Sequence, residues 1–347
     1  MTGPHRSGWQ RTLTAAWLRR GGWASLLWPV SVFYGLLVRL RQGLYLSGML
    51  SRWQAPVPVV VVGNVIAGGA GKTPLVIALV EYLREQGLVP GVISRGYGRS
   101  SQGSVAVHGQ SRPEDVGDEP LLIFQRTGVP LVVNSNRRHA AQALLQTHPE
   151  VDVIISDDGL QHLALDRDLE ICVFDDRGAG NGWLLPAGPL REPWPRSVDL
   201  VLHTGSRPAF TGYTSQRALA PYALKSDGQK IDLQELARSQ EPLFAVAGIA
   251  NPQSFFDMLS AQGLPLQQTI ALPDHVDYAQ WQRPSSPAHR LLCTEKDANK
   301  LWAHHPDALA VPLNFAPEPA FFAALDRLLS DAYQARPLSS THGHPTD

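Results

Sequence analysis

Residues 59–74, VVVVGNVIAGGAGKTP, decide the fold of this chain. A glycine-rich loop stands there between a run of valines and the start of a helical pattern. Such a loop binds phosphate when its backbone N–H groups converge on phosphate oxygens, a lysine reaches the terminal phosphates and a hydroxyl holds Mg²⁺. The residues available for these tasks are Gly68, Gly69, Ala70 and Gly71 for the backbone, Lys72 for the charge and Thr73 for the hydroxyl.

The loop is a variant of the strict motif, because Ile66 stands where the motif has a glycine six positions before the lysine. Its context, a strand before and a helix after, is the one that the mechanism requires. The sequence therefore predicts a nucleotide phosphate site. The alternative is a glycine-rich turn with a solvated lysine.

Strand and helix patterns alternate along the rest of the chain. VPVVVV (57–62) predicts a buried parallel strand, and a helix is predicted from about Thr73 to Gln86, with Pro74 in its first turn and Gly87 after its end. Further apolar runs predict an α/β fold with a doubly wound, mostly parallel sheet and a second, smaller α/β domain. The predicted segments are a basic, apolar membrane-associating segment (1–52), a P-loop domain (53–205), an α/β domain closing over the site (206–336) and a polar tail (337–347).

Charge and cysteine content exclude several classes. The chain has 30 Lys and Arg against 31 Asp and Glu, a formal net charge of -1, so it offers no general attraction for nucleic acid. The charges are unevenly distributed, because residues 1–80 contain basic residues and no acidic one. This segment is therefore positively charged, and the rest of the chain has an excess of acidic residues. The two cysteines sit in apolar runs and form no disulfide framework or zinc spacing, which indicates a reducing compartment. No protein partner is inferable.

The N-terminal segment favours a membrane surface. Residues 21–38 are uncharged, with Pro29 among them, and Arg19, Arg20, Arg39 and Arg41 flank them. Arginine and tryptophan together favour an anionic interface. We predict a helix that lies on the membrane or inserts shallowly; a true span and a helix packed on the protein's own core are the alternatives.

A second candidate site follows the run VDVIIS (151–156). Asp157 and Asp158 come directly after this predicted strand, where P-loop enzymes hold or orient the Mg²⁺ that bridges nucleotide phosphates. Two carboxylates before Gly159 can also be turn residues. The loop at Lys72 favours the metal site.

Seven short motifs follow one another along the chain. They are GNVIAGGAGKTP (63–74), SRGYGR (94–99), VGDEP (116–120), SDDGLQH (156–162), LLPAGPLREP (184–193), PDHVDY (273–278) and TEKDANK (294–300). Together, in this order, they resemble the lipid A tetraacyldisaccharide 4'-kinases of Gram-negative bacteria. The resemblance implies an ATP- and Mg²⁺-dependent enzyme that phosphorylates the 4'-hydroxyl of a tetraacyl glucosamine disaccharide 1-phosphate on the cytoplasmic face of the inner membrane. Its partners would be this lipid A precursor and the anionic membrane surface.

The resemblance also implies roles for residues that the motifs alone leave open. Asp118 matches the proposed base and His275 its partner; each could otherwise be an ordinary loop residue. Metal contacts are implied for Gln161 and Glu192 besides Thr73 and the two aspartates, and substrate contacts for Asn64, Arg95, Tyr97, Arg138 and Arg191. A solvated loop is the alternative for Arg95 and Tyr97, and Arg138 at a helix start has a similar alternative without function. Helix capping explains TEKD (294–297) without purine recognition.

Two other functions fit parts of the sequence. A membrane-associated switch or partitioning ATPase would use the basic segment to bind the membrane and the variant loop for a nucleotide-driven conformational cycle, without phosphate transfer to an acceptor. A soluble P-loop ligase would place the apolar N-terminus in its core. Phosphate transfer to a lipid acceptor, rather than release to water, separates the kinase from the first alternative. Solubility of the intact chain without detergent would favour the second.

Overall fold

The computed structural model describes residues 17–239, 241–283 and 289–336. The predicted polar tail (337–347) and the first 16 residues lie outside this part. The strands are β1 Val59–Gly63, β2 Pro90–Ser94, β3 Val105–Ala106, β4 Leu131–Val133, β5 Val153–Asp157, β6 Leu169–Phe174, β7 Leu200–His203, β8 Tyr213–Leu219, β9 Tyr222–Leu224, β10 Lys230–Asp232, β11 Leu243–Ala247, β12 Leu266–Ala271, β13 Arg290–Thr294, β14 Leu309–Val311 and β15 Leu313–Pro317. The α-helices are α1 Gly22–Leu46, α2 Lys72–Glu85, α3 Pro113–Val116, α4 Asp118–Thr127, α5 Arg137–Thr147, α6 Leu233–Arg238, α7 Pro252–Ala261, α8 Glu295–Leu301 and α9 Pro319–Gln334.

Nine strands form the larger sheet, in the order β15-β8-β7-β6-β1-β5-β2-β4-β3. The inner strands pair in parallel, and β3 and β15 pair antiparallel at the two edges. All of β1 is buried, as a central parallel strand requires. The connections β1-α2-β2 and β4-α5-β5 run in opposite directions along the sheet, so right-handed crossovers put α2 and α5 on opposite faces. The predicted doubly wound sheet is confirmed.

Six strands form the smaller sheet, in the order β10-β9-β14-β13-β11-β12. Its centre is parallel, and β9 pairs antiparallel with both β10 and β14. The second α/β unit is thus confirmed. The boundary near residue 206 stays a prediction: β8 and β15 belong to the larger sheet, and α9 buries Phe321 and Leu325 in the core of that sheet.

Helix α1 has one narrow inner face. Its buried residues are Ala24, Ser31 and Gly35, at spacings that place them on one side of a helix. A Cβ on Gly35 would lie 2.7 Å from Leu184 Cδ1, so a larger residue at this position would have to displace the end of the Leu184 side chain. Most other apolar side chains of α1 are exposed, Trp23 and Leu26 by about two thirds. By length and composition α1 could cross a membrane.

Candidate functional site

The phosphate loop connects β1 to α2 and is held by its carbonyl groups. Arg177 donates to the carbonyls of Ala67 (3.1 Å) and Gly69 (2.8 Å), and Thr204 Oγ1 donates to that of Ala70 (2.9 Å). Gly71 has φ 85°, which favours glycine at the turn into the helix. Within the described chain, the N–H groups of 68–71 donate to no protein acceptor. The loop therefore presents its donors to a ligand.

Lys72 is the first residue of α2, and its ammonium is held from two sides. Asn64 Oδ1 accepts a hydrogen bond from Lys72 Nζ at 3.1 Å, and Asp158 Oδ1 lies 3.4 Å from it. Asn64 is fully buried and also donates to the Gly68 carbonyl at 3.2 Å. The Asn64 side chain thus orients the lysine and fixes the loop.

The adjacent aspartates have opposite environments. Asp157 ends β5 and is 1% exposed; burial raises its pKa to about 6, with the charges of Glu119 and Asp158 adding to the effect. Asp158 pairs with Lys72 and with Arg191 (3.1 Å), and these cations outweigh the effect of burial and lower its pKa to about 2. Asp157 is therefore the less compensated of the two carboxylates, although Lys72 and the Ser94 hydrogen bond act in its favour.

The oxygen donors present fit a magnesium ion bound together with phosphates. Ser94 donates to Asp157 Oδ2 at 2.9 Å, whereas the buried Oδ1 has no partner in the described structure. Thr73 adds a hydroxyl at the start of α2. Among the residues described, no three acidic, His or Cys side chains form a complete metal cage. Two protein oxygens suffice for a nucleotide-bound Mg²⁺, because phosphates and water complete its shell.

Glu192 and Gln161 are engaged with protein partners. Gln161 Nε2 donates to Glu192 Oε1 at 2.7 Å and to the Asn64 carbonyl at 3.1 Å. The other Glu192 oxygen lies 3.2 Å from Arg196 Nε. In this arrangement the two side chains brace the loop beside Lys72, and their direct metal contact stays a prediction.

The larger and smaller sheets meet around Asp118, the first residue of α4. His275 Nδ1 and Lys300 Nζ each lie 2.8 Å from its carboxylate, so the pair separated by 157 positions is in contact. Asp118 is 5% exposed, and burial alone would raise its pKa. Hydrogen bonds from His275 and Lys300, with the Lys300 and Lys296 charges, lower the pKa instead.

His275 has φ 60°, an uncommon conformation for a residue other than glycine. Such backbone strain costs about 1–3 kcal/mol and persists where the surroundings impose it. The Tyr97 ring lies 5.3 Å from the His275 ring, so the SRGYGR loop reaches the same place. Helix α4, which begins at Asp118, packs against α2, the helix that follows the phosphate loop, so the Asp118 cluster lies on the same side of the molecule as that loop.

The remaining predicted residues surround this centre. Arg95 and Tyr97 are exposed after β2, and Arg138 lies in the first turn of α5 with a buried Nε that has no acceptor in the described chain. Sequence reasoning missed Arg137, which is 2% exposed and donates to the Asp157 carbonyl at 2.9 Å. It also assigned no role to Lys300. The sequence RRHAAQ (137–142), in which Arg137 stands, indicates a helix but does not mark Arg137 as a buried residue of the site.

Ion pairs connect the two α/β units beside Asp118. Arg126 on α4 pairs with Glu295 on α8 at 2.9 Å. Lys296 on α8 pairs with Glu119 at 3.4 Å and with Asp274 at 3.0 Å. The TEKDANK motif thus forms α8 and faces the phosphate-loop unit, and Thr294 caps this helix by accepting from the Asp297 N–H.

A donor-rich loop, a lysine and carboxylates at the end of the neighbouring parallel strand define a P-loop nucleotide-binding protein. The sequence matches the tetraacyldisaccharide-1-P 4'-kinase family over residues 23–330. The chain belongs to this family.

Individual relatives agree with the family match. The chain is 56% identical to the tetraacyldisaccharide 4'-kinase of Polaromonas naphthalenivorans (strain CJ2), over 97% of this chain and 99% of that one. It is 55% identical to the enzyme of the same name from Acidovorax sp. (strain JS42), over 92% and 94%. The crystal structure of "apo" form LpxK from Aquifex aeolicus in complex with ATP has a TM-score of 0.75 at 28% identity, over 90% of this chain and 99% of that one.

Proposed function

We propose that this protein transfers the γ-phosphate of ATP to the 4'-hydroxyl of a tetraacyl glucosamine disaccharide 1-phosphate in lipid A biosynthesis. The family membership supports the reaction, and the ATP complex of the similar A. aeolicus protein supports the donor. The observation that carries the proposal for this chain is the Asp118–His275 contact at 2.8 Å beside the phosphate loop. A nucleotide switch needs no such base for an alcohol acceptor.

Residues of the loop and of α2 would bind the donor. The N–H groups of 68–71 surround the phosphate oxygens, and Lys72 neutralises charge at the β- and γ-phosphates. Thr73 and Asp157 are the proposed Mg²⁺ ligands, supported by the unpaired Asp157 oxygen. When bound, Mg²⁺ would offset the negative charge that develops on the phosphate oxygens. Arg191 would contact phosphate from its present position against Asp158.

Asp118 would orient the 4'-hydroxyl and accept its proton. The bond between the hydroxyl oxygen and the γ-phosphorus forms, the bond from that phosphorus to the bridging oxygen breaks, and ADP leaves with the electron pair. A lowered pKa keeps Asp118 ionised at neutral pH and makes it a weak base. Phosphoryl transfer has a loose transition state, so orientation contributes more than base strength. His275 and Lys300 hold the carboxylate in place.

Helix α1 would bring the protein to the anionic surface of the inner membrane, on its cytoplasmic face. The exposed apolar side chains of α1 support shallow insertion. Tyr34 on the same helix donates to the Arg191 carbonyl at 2.7 Å, so the membrane-binding helix contacts the loop of the phosphate site. Arg95, Tyr97 and Arg138 are proposed to contact the acceptor at the sheet edge, where open α/β sheets bind ligands.

The direct test is transfer of label from [γ-³²P]ATP with Mg²⁺ and a purified tetraacyl disaccharide 1-phosphate in mixed micelles. We expect a lipid product whose new phosphate is at the 4'-position. Lys72→Met is the negative control, because it keeps an unbranched side chain and removes the ammonium group that would contact the phosphates. Lipid-independent release of phosphate to water, without a labelled lipid, would refute the kinase and favour the cycling ATPase.

A further inference from the structure

Arg217, on β8, contacts the phosphate loop through its guanidinium. The register pairs His203, the last residue of β7, with Thr214, so Arg217 lies beyond the end of β7. A Cβ on Gly71 would collide with Arg217 Nη2, and its next neighbours would be atoms of Thr204. The guanidinium thus touches the residue directly before Lys72. Its carbon is 5.8 Å from the centre of the Phe315 ring, which supports it from β15.

Arg217 has no counter-charge in contact. In residues 17–239, 241–283 and 289–336 its guanidinium forms no hydrogen bond or ion pair, and its Nε is buried without an acceptor. The nearest acidic residues already have partners: Asp175 pairs with Arg177 at 2.8 Å, and Asp176 accepts the Arg207 N–H at 2.7 Å. Burial lowers the pKa of Arg217.

A half-buried cation without a partner is unfavourable for folding alone, because its desolvation has no compensation. Arg177 differs from Arg217 in this respect, because its guanidinium donates hydrogen bonds to Asp175 and to carbonyl groups of the phosphate loop. Arg217 is aimed at the same loop and lacks these bonds. An anion placed on the N–H groups of 68–71 would supply the missing acceptor, and a guanidinium binds phosphate oxygens in a bidentate geometry.

We propose that Arg217 binds the phosphate chain of the nucleotide, as a second cationic contact besides Lys72. The proposal rests on the assignment of residues 63–74 as a nucleotide site, but not on the identity of the acceptor. Strand β8 pairs with β15 in the larger sheet, and the chain leads from the end of β8 directly to β9 of the smaller sheet. This contact therefore places bound phosphate against the connection between the two units.

The test measures nucleotide binding and heat stability without any lipid. Arg217→Met keeps an extended side chain and removes the charge, and Arg217→Lys keeps the charge without the bidentate geometry. Arg238→Met, on the exposed side of α6, is the control. ADP and adenosine, each with Mg²⁺, are the probes, and differential scanning fluorimetry gives Tm with and without them.

We expect Arg217→Met to weaken ADP binding about 10- to 100-fold, the range for one charge-assisted hydrogen bond, and to leave adenosine binding unchanged. Its Tm without nucleotide should equal or exceed that of the natural protein, because an uncompensated charge is gone. Arg217→Lys should retain part of the ADP affinity, and Arg238→Met all of it.

Three results would overturn the proposal: unchanged ADP affinity, an equal loss for adenosine and ADP, or a fall in Tm without nucleotide together with a normal ADP-induced rise. The second would assign Arg217 to the nucleoside and the third to folding. A protein that binds ADP through Arg217 but phosphorylates no lipid would keep this inference and refute the proposed acceptor. The failure of the Arg217 inference can therefore be distinguished from the failure of the proposed kinase function.

Discussion

Removing Asp118 and His275 separately and together tests whether they act as one unit. The hydrogen bond of 2.8 Å joins a carboxylate that is 5% exposed to an imidazole. A hydrogen bond to a charged group is worth about 1.5–3 kcal/mol, which corresponds to about 10- to 100-fold in rate. Loss of a positioned base costs about 10²- to 10⁴-fold. We therefore expect His275→Ala to lower kcat by the smaller factor and Asp118→Ala by the larger.

The decisive quantity is the effect of the second substitution. If His275 acts only by holding Asp118, adding His275→Ala to Asp118→Ala should change kcat less than about 3-fold, since groups that act as a unit lose activity non-additively. His275→Asn should recover part of the activity, because asparagine tolerates φ 60° and can donate to the carboxylate.

The assay is kcat at saturating ATP and lipid acceptor, with ADP affinity measured for every variant. The exposed pair of His148 and Glu150, whose atoms are 3.0 Å apart, provides a matched control cycle with no expected effect. Full additivity between Asp118→Ala and His275→Ala would refute the dyad. A loss confined to ADP affinity would place the pair in nucleotide binding instead.

Three further outcomes follow from single contacts. Lys72→Met should lower kcat by at least about 10²-fold in a protein with an unchanged circular dichroism spectrum, because the phosphates lose their fixed charge; near-normal lipid kinase activity would contradict this. Lys300→Met should raise the pKa of Asp118, since Lys300 lowers it, so the acid limb of the kcat profile should move to higher pH while the alkaline limb stays. A parallel loss at every pH would show that Lys300 acts otherwise. Trp23→Ser should weaken binding to anionic vesicles, because this exposed indole favours the interface, whereas Val89→Ser, between α2 and β2, should not; equal partitioning of the two variants would contradict the membrane role of α1.

Local signals explain why much of the fold was predictable. A short run of valines that ends at a glycine-rich loop favours a fully buried strand of a parallel sheet, and β1 is one. The helix predicted from about Thr73 to Gln86 is Lys72–Glu85, because Pro74 and Gly87 mark its ends. Asp157 and Asp158 could be placed beside the loop because carboxyl ends of adjacent parallel strands share one sheet edge.

The rest of the site depends on tertiary placement that the sequence does not display. YTSQRAL alternates like an edge strand with a solvated face, so nothing in it marks Arg217; the residue becomes significant because β8 extends past β7. Lys300 lies in a polar segment whose sequence indicates only a helix. It reaches Asp118 because α8 packs against α4. The return of β15 to the larger sheet was likewise invisible, because antiparallel edge pairing leaves no local pattern.

The position of α1 has a consequence for how the membrane hypothesis can be tested. Ser31 donates to the Leu184 carbonyl (2.7 Å) and accepts the Ala187 N–H (2.9 Å), so the inner face of α1 holds the loop that continues to Arg191 and Glu192. Deleting residues 1–40 would remove the apolar surface and this support together. Loss of activity in such a truncation would then have two causes. The outer face can be changed alone, since Trp23 is 66% exposed, and only such variants separate lipid attachment from the integrity of the phosphate site.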